Sequence, residues 1–320
     1  MTDYDIITAG GGHAGIEAAS AAARMGMRAA LVTQDKAAIG RMSCNPAVGG
    51  IAKGQLVREI DAFGGEIGYI ADQAAVQFRA LGRSKGPAMW SPRAQVDRAL
   101  YNRLMVQRMN EIPGLDIVEG EVQEVLIEKG CVYGIRLASG DTISAKAVIL
   151  AAGTFLQGEI FTGRDRRAAG RWGENPSLGL SRQLKSLGFE ISRLKTGTPP
   201  RLVRDSIDLS RLVRQEGDSD IQNFSMRTNR DNLPARQLSC YQTYTNPRTH
   251  KLIEARLDEA PLYDGTINAI GPRYCPSIET KVVNFPEKDR HLLFVEPEGW
   301  DDPLVYLNGF ATSLPEDLQL

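Results

Sequence analysis

Gly10, Gly12 and Gly15 follow the order GxGxxG directly after the apolar run Tyr4 to Ala9. In such a turn Gly10 permits the sharp reversal and Gly12 lets backbone approach a pyrophosphate. Gly15 lets the next helix lie close to the strand, and that helix presents its first N–H groups to phosphate oxygens. The six residues Gly10, Gly11, Gly12, His13, Ala14 and Gly15 are therefore read as a phosphate cradle. The partner acid for a ribose is less regular. Thr33 stands where an acid usually ends the second strand, which leaves Asp35 as the nearby carboxylate.

Thiols and cations are the other groups capable of chemistry. Cys44, Cys131, Cys240 and Cys275 are scattered without CxxC spacing, and the chain has 3 histidines, so neither a zinc site nor a disulfide framework is indicated. Any cysteine that matters would act as a free thiol. Arg164, Arg166, Arg167 and Arg171 form a basic stretch, followed by Arg193, Lys195, Arg201 and Arg204. These suit phosphates, or equally a solvated charged surface.

The elements that must position these groups are legible in outline. An Ala-rich helix is expected over 13–25, ending at Gly26, with a second strand over 28–33, so strand, turn, helix and strand form a βαβ unit. Ser91-Pro92 reads as a helix start, and the helix is expected to run to about Ile112. Strands are expected at 115–118, 122–128, 132–137, 142–144 and 147–152, the last followed by Gly153-Thr154. From 202 to 270 the composition turns polar and irregular, with a helix over 247–257 capped by Asn246. Apolar strands resume at 291–296 and 304–310. The expected fold class is α/β, a Rossmann-like FAD-binding domain of the two-dinucleotide-domain flavoprotein type with an inserted α+β subdomain. Residues 1–201 form its first part, 202–270 the insertion and 271–320 the return.

The whole composition is compatible with this. The chain has 320 residues, 42% hydrophobic and 24% charged, with a formal net charge of -1. That balance excludes a wholly basic nucleic-acid binder and leaves room for a local basic patch. No run approaches the roughly 18 apolar residues of a membrane span, and the first residues are acidic. A cytoplasmic location is expected, with no membrane partner.

Seven ordered segments then narrow the reading: GGGHAGIEAA from Gly10, MSCNPAVGGIAKG from Met42, SKGPAMWSPRAQVDR from Ser84, LKTGTPPR from Leu194, GPRYCPSIETK from Gly271, FVEPEG from Phe294 and LNGFATSLPED from Leu307. Together they resemble the MnmG (GidA) family, flavoenzymes that modify the wobble uridine of certain tRNAs. The resemblance implies FAD as cofactor, NADH as reductant and methylenetetrahydrofolate as one-carbon donor. The group added to uracil carbon 5 would be aminomethyl or carboxymethylaminomethyl. It also implies tRNA and the GTPase MnmE as partners, and a homodimer. Family members are about twice as long, so this chain is expected to be an N-terminal part that stops before the helical region docking tRNA and MnmE.

Carried onto this chain, the family's flavin contacts fall on Gly10 through Gly15, on Val122 and on Ser177. Its nicotinamide-nucleotide segment falls on Gly271, Pro272, Arg273, Tyr274, Pro276, Ser277 and Lys281. Uracil carbon 5 is a poor nucleophile unless a thiolate adds at carbon 6 or a base assists, so a cysteine beside the flavin makes chemical sense, and Cys44 and Cys275 are the candidates. A small buried apolar role is the alternative for each. Arg166, Arg167, Arg171 and Lys195 are the candidates for tRNA phosphates. Two other functions stay open: a related folate- and FAD-dependent tRNA uracil-5-methyltransferase, and a binding fragment that holds cofactor, tRNA or MnmE without turnover.

Overall fold

A computed structural model describes residues 2–267 and 276–320. Its centre is a six-stranded sheet in the spatial order Leu115–Glu119, Ala29–Thr33, Tyr4–Ala9, Thr142–Leu150, Cys131–Leu137, Val122–Glu128. The first four run parallel, and in chain order they read third, second, first, fourth. This is a Rossmann-like arrangement, and the expected α/β fold is what the structure shows.

The strand Ala29–Thr33 is apolar almost throughout and buried along its whole length because both of its faces are covered. In Ala29–Thr33, Ala29 and Leu31 enter a core shared with Ile16, Ala19, Tyr101, Met105 and Met109, which come from the helices His13–Arg24 and Arg98–Glu111. Ala30 and Val32 enter the opposite core with Ile7, Val122, Val125, Ile135 and Leu180. The period-2 alternation thus sorts neighbouring residues between two cores.

Two local expectations need correction. The stretches 142–144 and 147–152 are not separate strands. Thr142–Leu150 is one strand whose start pairs with the hairpin (Ser144 with Gly134), while Ala145 onward pairs parallel to the first strand. No turn-forming residue separates the two parts. Likewise, the helix expected from Ser91 begins later. Ser91–Val96 is a strand between Ala47–Gly49 and Ala75–Leu81. Asp97 caps the helix Arg98–Glu111 by accepting from Leu100 N at 2.9 Å. Ser91, a plausible cap from sequence alone, instead donates its hydroxyl to Gly50 O.

The polar region contributes to a second, five-stranded antiparallel sheet, ordered Arg201–Val203, Leu304–Asn308, Leu292–Pro297, Cys240–Tyr244, Val213–Gln215. Leu292–Pro297 and Leu304–Asn308, read from the sequence as a return to the nucleotide-binding layer, pair within this sheet. Asn246 caps the helix Pro247–Glu254 as expected. Loops that lack a ladder of their own are pinned by buried carboxylates. Asp72 accepts from Phe224 N at 2.7 Å, Ser225 N at 2.8 Å and Thr228 Oγ1 at 2.7 Å. Glu66, 0% exposed, holds Arg24 at 3.0 Å, Arg108 at 3.0 Å and Arg227 at 3.4 Å.

Glu66 therefore joins the first helix, the long helix and the inserted loop. Glu66→Ala is expected to lower stability by about 3 kcal/mol, the low end for a broken buried ion cluster, because the three guanidinium groups keep some contact with water. Denaturant midpoints of the two proteins check this. A change within about 0.5 kcal/mol, as for an ordinary surface site, would contradict it.

Candidate cofactor cleft and adjoining thiol

The carboxyl end of the first strand opens into a cleft lined by Gly10, Gly11, Gly12, His13, Thr33, Asp35, Val122 and Ser177, with Ala151 and Ala152 behind. Close approach explains two of the glycines. Gly10 has φ +121, and a Cβ there would lie 2.2 Å from Ala151 O; at Gly15 it would lie 1.8 Å from Gly10 O. Side chains are thus excluded where the helix crosses the strand end. Gly12 differs: a Cβ built there meets nothing within 4 Å, because it faces the open cleft.

Gly12 also caps the helix His13–Arg24 without any side-chain hydrogen bond, so the first turn points its N–H groups outward unshielded by a capping side chain. Such a terminus attracts phosphate through its donors and its dipole. His13 adds no charge of its own. Its Nε2 lies 3.0 Å from Tyr101 Oη, and burial, helped by the Arg171 charge, holds its pKa down at about 4.

Asp35 lines the cleft but is partly committed elsewhere. One carboxylate oxygen accepts from Ala37 N at 2.8 Å and caps a short turn; the other lies 3.7 Å from Arg41. Val122 opens its hairpin strand against the cleft. Ser177 is 6% exposed, and its hydroxyl has no hydrogen-bond partner among the described residues; the same holds for Nε of Arg171, which also lines the cleft. Buried donors of this kind are satisfied either by water or by a group bound in the cleft. Open space at Gly12, an uncapped helix start and two orphaned donors fit a dinucleotide with its pyrophosphate on the glycine turn.

Cys44 sits one residue beyond Ser43, which lines the cleft. Its thiol, half-buried, lies 3.1 Å from Tyr306 Oη and donates weakly to Gly197 O at 3.5 Å. Arg201 fixes the loop by donating to Cys44 O at 2.8 Å and stacks over the Tyr306 ring at 4.9 Å. The thiol thus stands at the junction of the nucleotide cleft and the second sheet. Cys240 is buried with its pKa pushed up to about 12 by burial, and Cys131 is exposed at a hairpin turn. Cys275, with Gly271, Pro272, Arg273 and Tyr274, lies outside the described residues.

The remaining candidates separate. Ser277 caps the helix Ile278–Asn284, and Lys281 donates to Gly309 O at 2.6 Å, so these residues and Pro276 stand outside the cleft lining. Arg166 and Arg167 share a hairpin strand, Arg166 pairing with Glu159 at 2.6 Å and Arg167 stacking on Trp172 at 4.9 Å. Arg171 is not with them: it forms part of the cleft wall, stacked on Phe155 at 5.3 Å. Lys195 is 9% exposed and so is buried rather than open to solvent. Sequence reading missed Arg41, Glu121, Phe155 and Glu174 in the cleft lining, because no local spacing marks them.

Among the described residues no cluster is arranged to hold a metal ion, and no helix is long and apolar enough to cross a membrane. The family model described as glucose inhibited division protein A matches residues 5–320. A tRNA uridine 5-carboxymethylaminomethyl modification enzyme, MnmG, from Thermodesulfovibrio yellowstonii is 52% identical over 318 residues, covering 99% of this chain and 51% of that protein. The MnmG of Cytophaga hutchinsonii is 48% identical over 317 residues, again covering 99% and 51%. The GidA structure from Aquifex aeolicus in its form I crystal superposes with a TM-score of 0.93 at 46% identity, covering 99% of this chain and 53% of that one. The chain spans about half the length of the curated relatives it matches. With a family model matching residues 5–320 and relatives at about half identity across nearly the whole chain, the chain belongs to the glucose inhibited division protein A (GidA) family.

Proposed function

We propose that this chain is the cofactor-binding part of a flavin-dependent tRNA-modifying enzyme that installs an aminomethyl or carboxymethylaminomethyl group on carbon 5 of the wobble uridine. The observation that carries the reading is the thiol loop at the edge of a cleft fitted for a dinucleotide: Ser43 lines the cleft and Cys44 follows it. The names of the relatives supply the substrate class.

FAD is the dinucleotide we assign to the cleft. The first turn of the helix at Gly12 would hold its pyrophosphate, Asp35 its ribose, and Val122 and Ser177 the wall beside it. When bound, the flavin supplies redox chemistry at the one-carbon unit, with NADH as reductant and methylenetetrahydrofolate as donor. Cys44 would act on the other reactant. Its thiolate adds to uracil carbon 6, which makes carbon 5 nucleophilic toward the one-carbon unit. Loss of the carbon 5 proton then expels the thiolate and restores the ring. Tyr306 and Arg201 hold the loop in place during both steps.

The basic hairpin at Arg166 and Arg167 faces tRNA phosphates in this account. Segment 202–270, pinned by Asp72 and Glu66, is its NADH- or tRNA-facing part. The complete protein works in the cytoplasm as a homodimer with MnmE. Arg166→Ala with Arg167→Ala, in a protein extended to the relatives' length, is expected to weaken tRNA binding roughly tenfold at low salt, with a shallower salt dependence. Unchanged binding at every salt concentration would remove the hairpin from the interface. Mass analysis of the wobble nucleoside after turnover tests the reading as a whole. An aminomethyl-type product is expected, whereas a plain methyl group would point to a uracil-5-methyltransferase.

A further inference from the structure

Tyr306 meets the Cys44 sulfur with a polar atom, and holding the loop in place gives that contact no chemical part. Tyr306 and Arg201 stand directly opposite each other on neighbouring strands of the second sheet, Leu304–Asn308 and Arg201–Val203. The Arg201 guanidinium lies over the Tyr306 ring at 4.9 Å. It is held there by Glu298, 0% exposed, at 2.9 Å and by Thr198 Oγ1 at 2.6 Å. Strand pairing and this stack therefore fix the buried ring. Its hydroxyl lies 3.1 Å from Cys44 Sγ, on a loop 262 residues away along the chain.

The direction of the hydrogen bond follows from what each atom can do. Gly197 O can only accept, so in the thiol form the sulfur proton goes to it, at 3.5 Å, and Tyr306 Oη donates to the sulfur. A thiolate has no proton to give. Ionisation therefore loses the Gly197 contact but keeps the Tyr306 bond and strengthens it, since a charged acceptor binds a donor more tightly. The elements that pack here bring charged groups as well. Arg201 donates to Cys44 O at 2.8 Å and is paired with Glu298, and Lys195 Nζ lies 3.7 Å from where a Cβ on Gly197 would stand. Those groups meet the loop backbone, whereas Tyr306 Oη is in direct contact with the sulfur.

We propose that Tyr306 is a positioning residue for the reaction at uracil, its hydroxyl donating to the Cys44 sulfur whenever that sulfur is charged, before it adds to carbon 6 and again as it leaves. The inference rests on the reading of Cys44 as the nucleophile. On addition, an electron pair of the sulfur forms the bond to carbon 6; on expulsion that bond breaks and the pair returns to sulfur. Tyr306 keeps its own proton through both steps, so it acts as a donor to charge and not as an acid. The hydrogen bond enlarges the thiolate share at neutral pH and makes each thiolate somewhat less nucleophilic.

The test uses this chain and its Tyr306→Phe variant, each alkylated with iodoacetamide over a pH series, with the peptides carrying Cys44 and Cys131 followed separately by mass. Phenylalanine keeps the ring beneath Arg201 and removes the hydroxyl alone. At about pH 7, Cys44 is expected to react about tenfold more slowly in the variant, the effect of losing one hydrogen bond to a charged group. By about pH 10, above the ordinary thiol range, the two rates should meet or cross, because the thiolate freed of its hydrogen bond is the stronger nucleophile. Cys131, exposed at its hairpin turn, should follow one profile in both proteins. Equal Cys44 rates at every pH would overturn the proposal. So would a variant slower by one constant factor throughout, since Tyr306 would then only shape access to the thiol. Turnover in Cys44→Ser tests the nucleophile itself, so failure of that reading and failure of this one are told apart.

Discussion

Gly12→Asp is expected to abolish FAD binding while leaving the fold as stable as before. The two halves of that expectation come from the same observation. A Cβ at Gly12 meets nothing within 4 Å, so the protein tolerates a side chain there. A carboxylate at the cap of the first helix is even favourable to it, accepting from free N–H groups and opposing the helix dipole. The cofactor loses by the same change, because the new group fills the space for the pyrophosphate and sets a negative charge against it. Like charges placed together cost several kcal/mol, so at least about 3 kcal/mol, or roughly a hundredfold in Kd, is expected. Thermal unfolding and FAD titration on the same sample check both halves. Tight FAD binding by the variant would move the pyrophosphate away from the glycine turn.

Cys44→Ser, in a protein extended to the relatives' length, is expected to lower kcat for uridine modification roughly a thousandfold or more. A serine preserves the volume of the site and the possibility of a hydrogen bond to Tyr306, now 3.1 Å from the thiol. It does not preserve the thiolate, which is the nucleophile. FAD content should stay at the parent level, because Cys44 is outside the cleft lining and its neighbour Ser43 is unchanged. Rates of product formation at saturating tRNA, with flavin content measured alongside, make the comparison. Full activity in Cys44→Ser would exclude this thiol and leave Cys275 as the candidate.

How much of this could be read from the sequence depended on the range over which each signal acts. The first βαβ unit was legible because glycine spacing, helix composition and apolar strands agree within a short stretch. Ser91-Pro92 misled for the same reason. A serine before a proline looks the same ahead of a helix and inside a strand, and only pairing with Ala75–Leu81 and Ala47–Gly49 decides between them. The strands 292–297 and 304–308 were visible as apolar runs, but their sheet was not, since register depends on partners far along the chain. Arg171 read as part of a basic surface stretch, yet it turns into the cleft to meet Glu174 and Phe155. Arg41 and Glu174 left no local trace because their partnership exists only in the folded chain.

The central claim, that the cleft at the glycine turn holds FAD, meets its most direct test in the visible absorption spectrum of the purified chain after incubation with FAD and removal of the excess, with the released cofactor identified by mass. The account predicts the two flavin bands, FAD in the released fraction, and loss of both in Gly12→Asp. A folded but colourless parent chain, or bands that persist unchanged in Gly12→Asp, would contradict it.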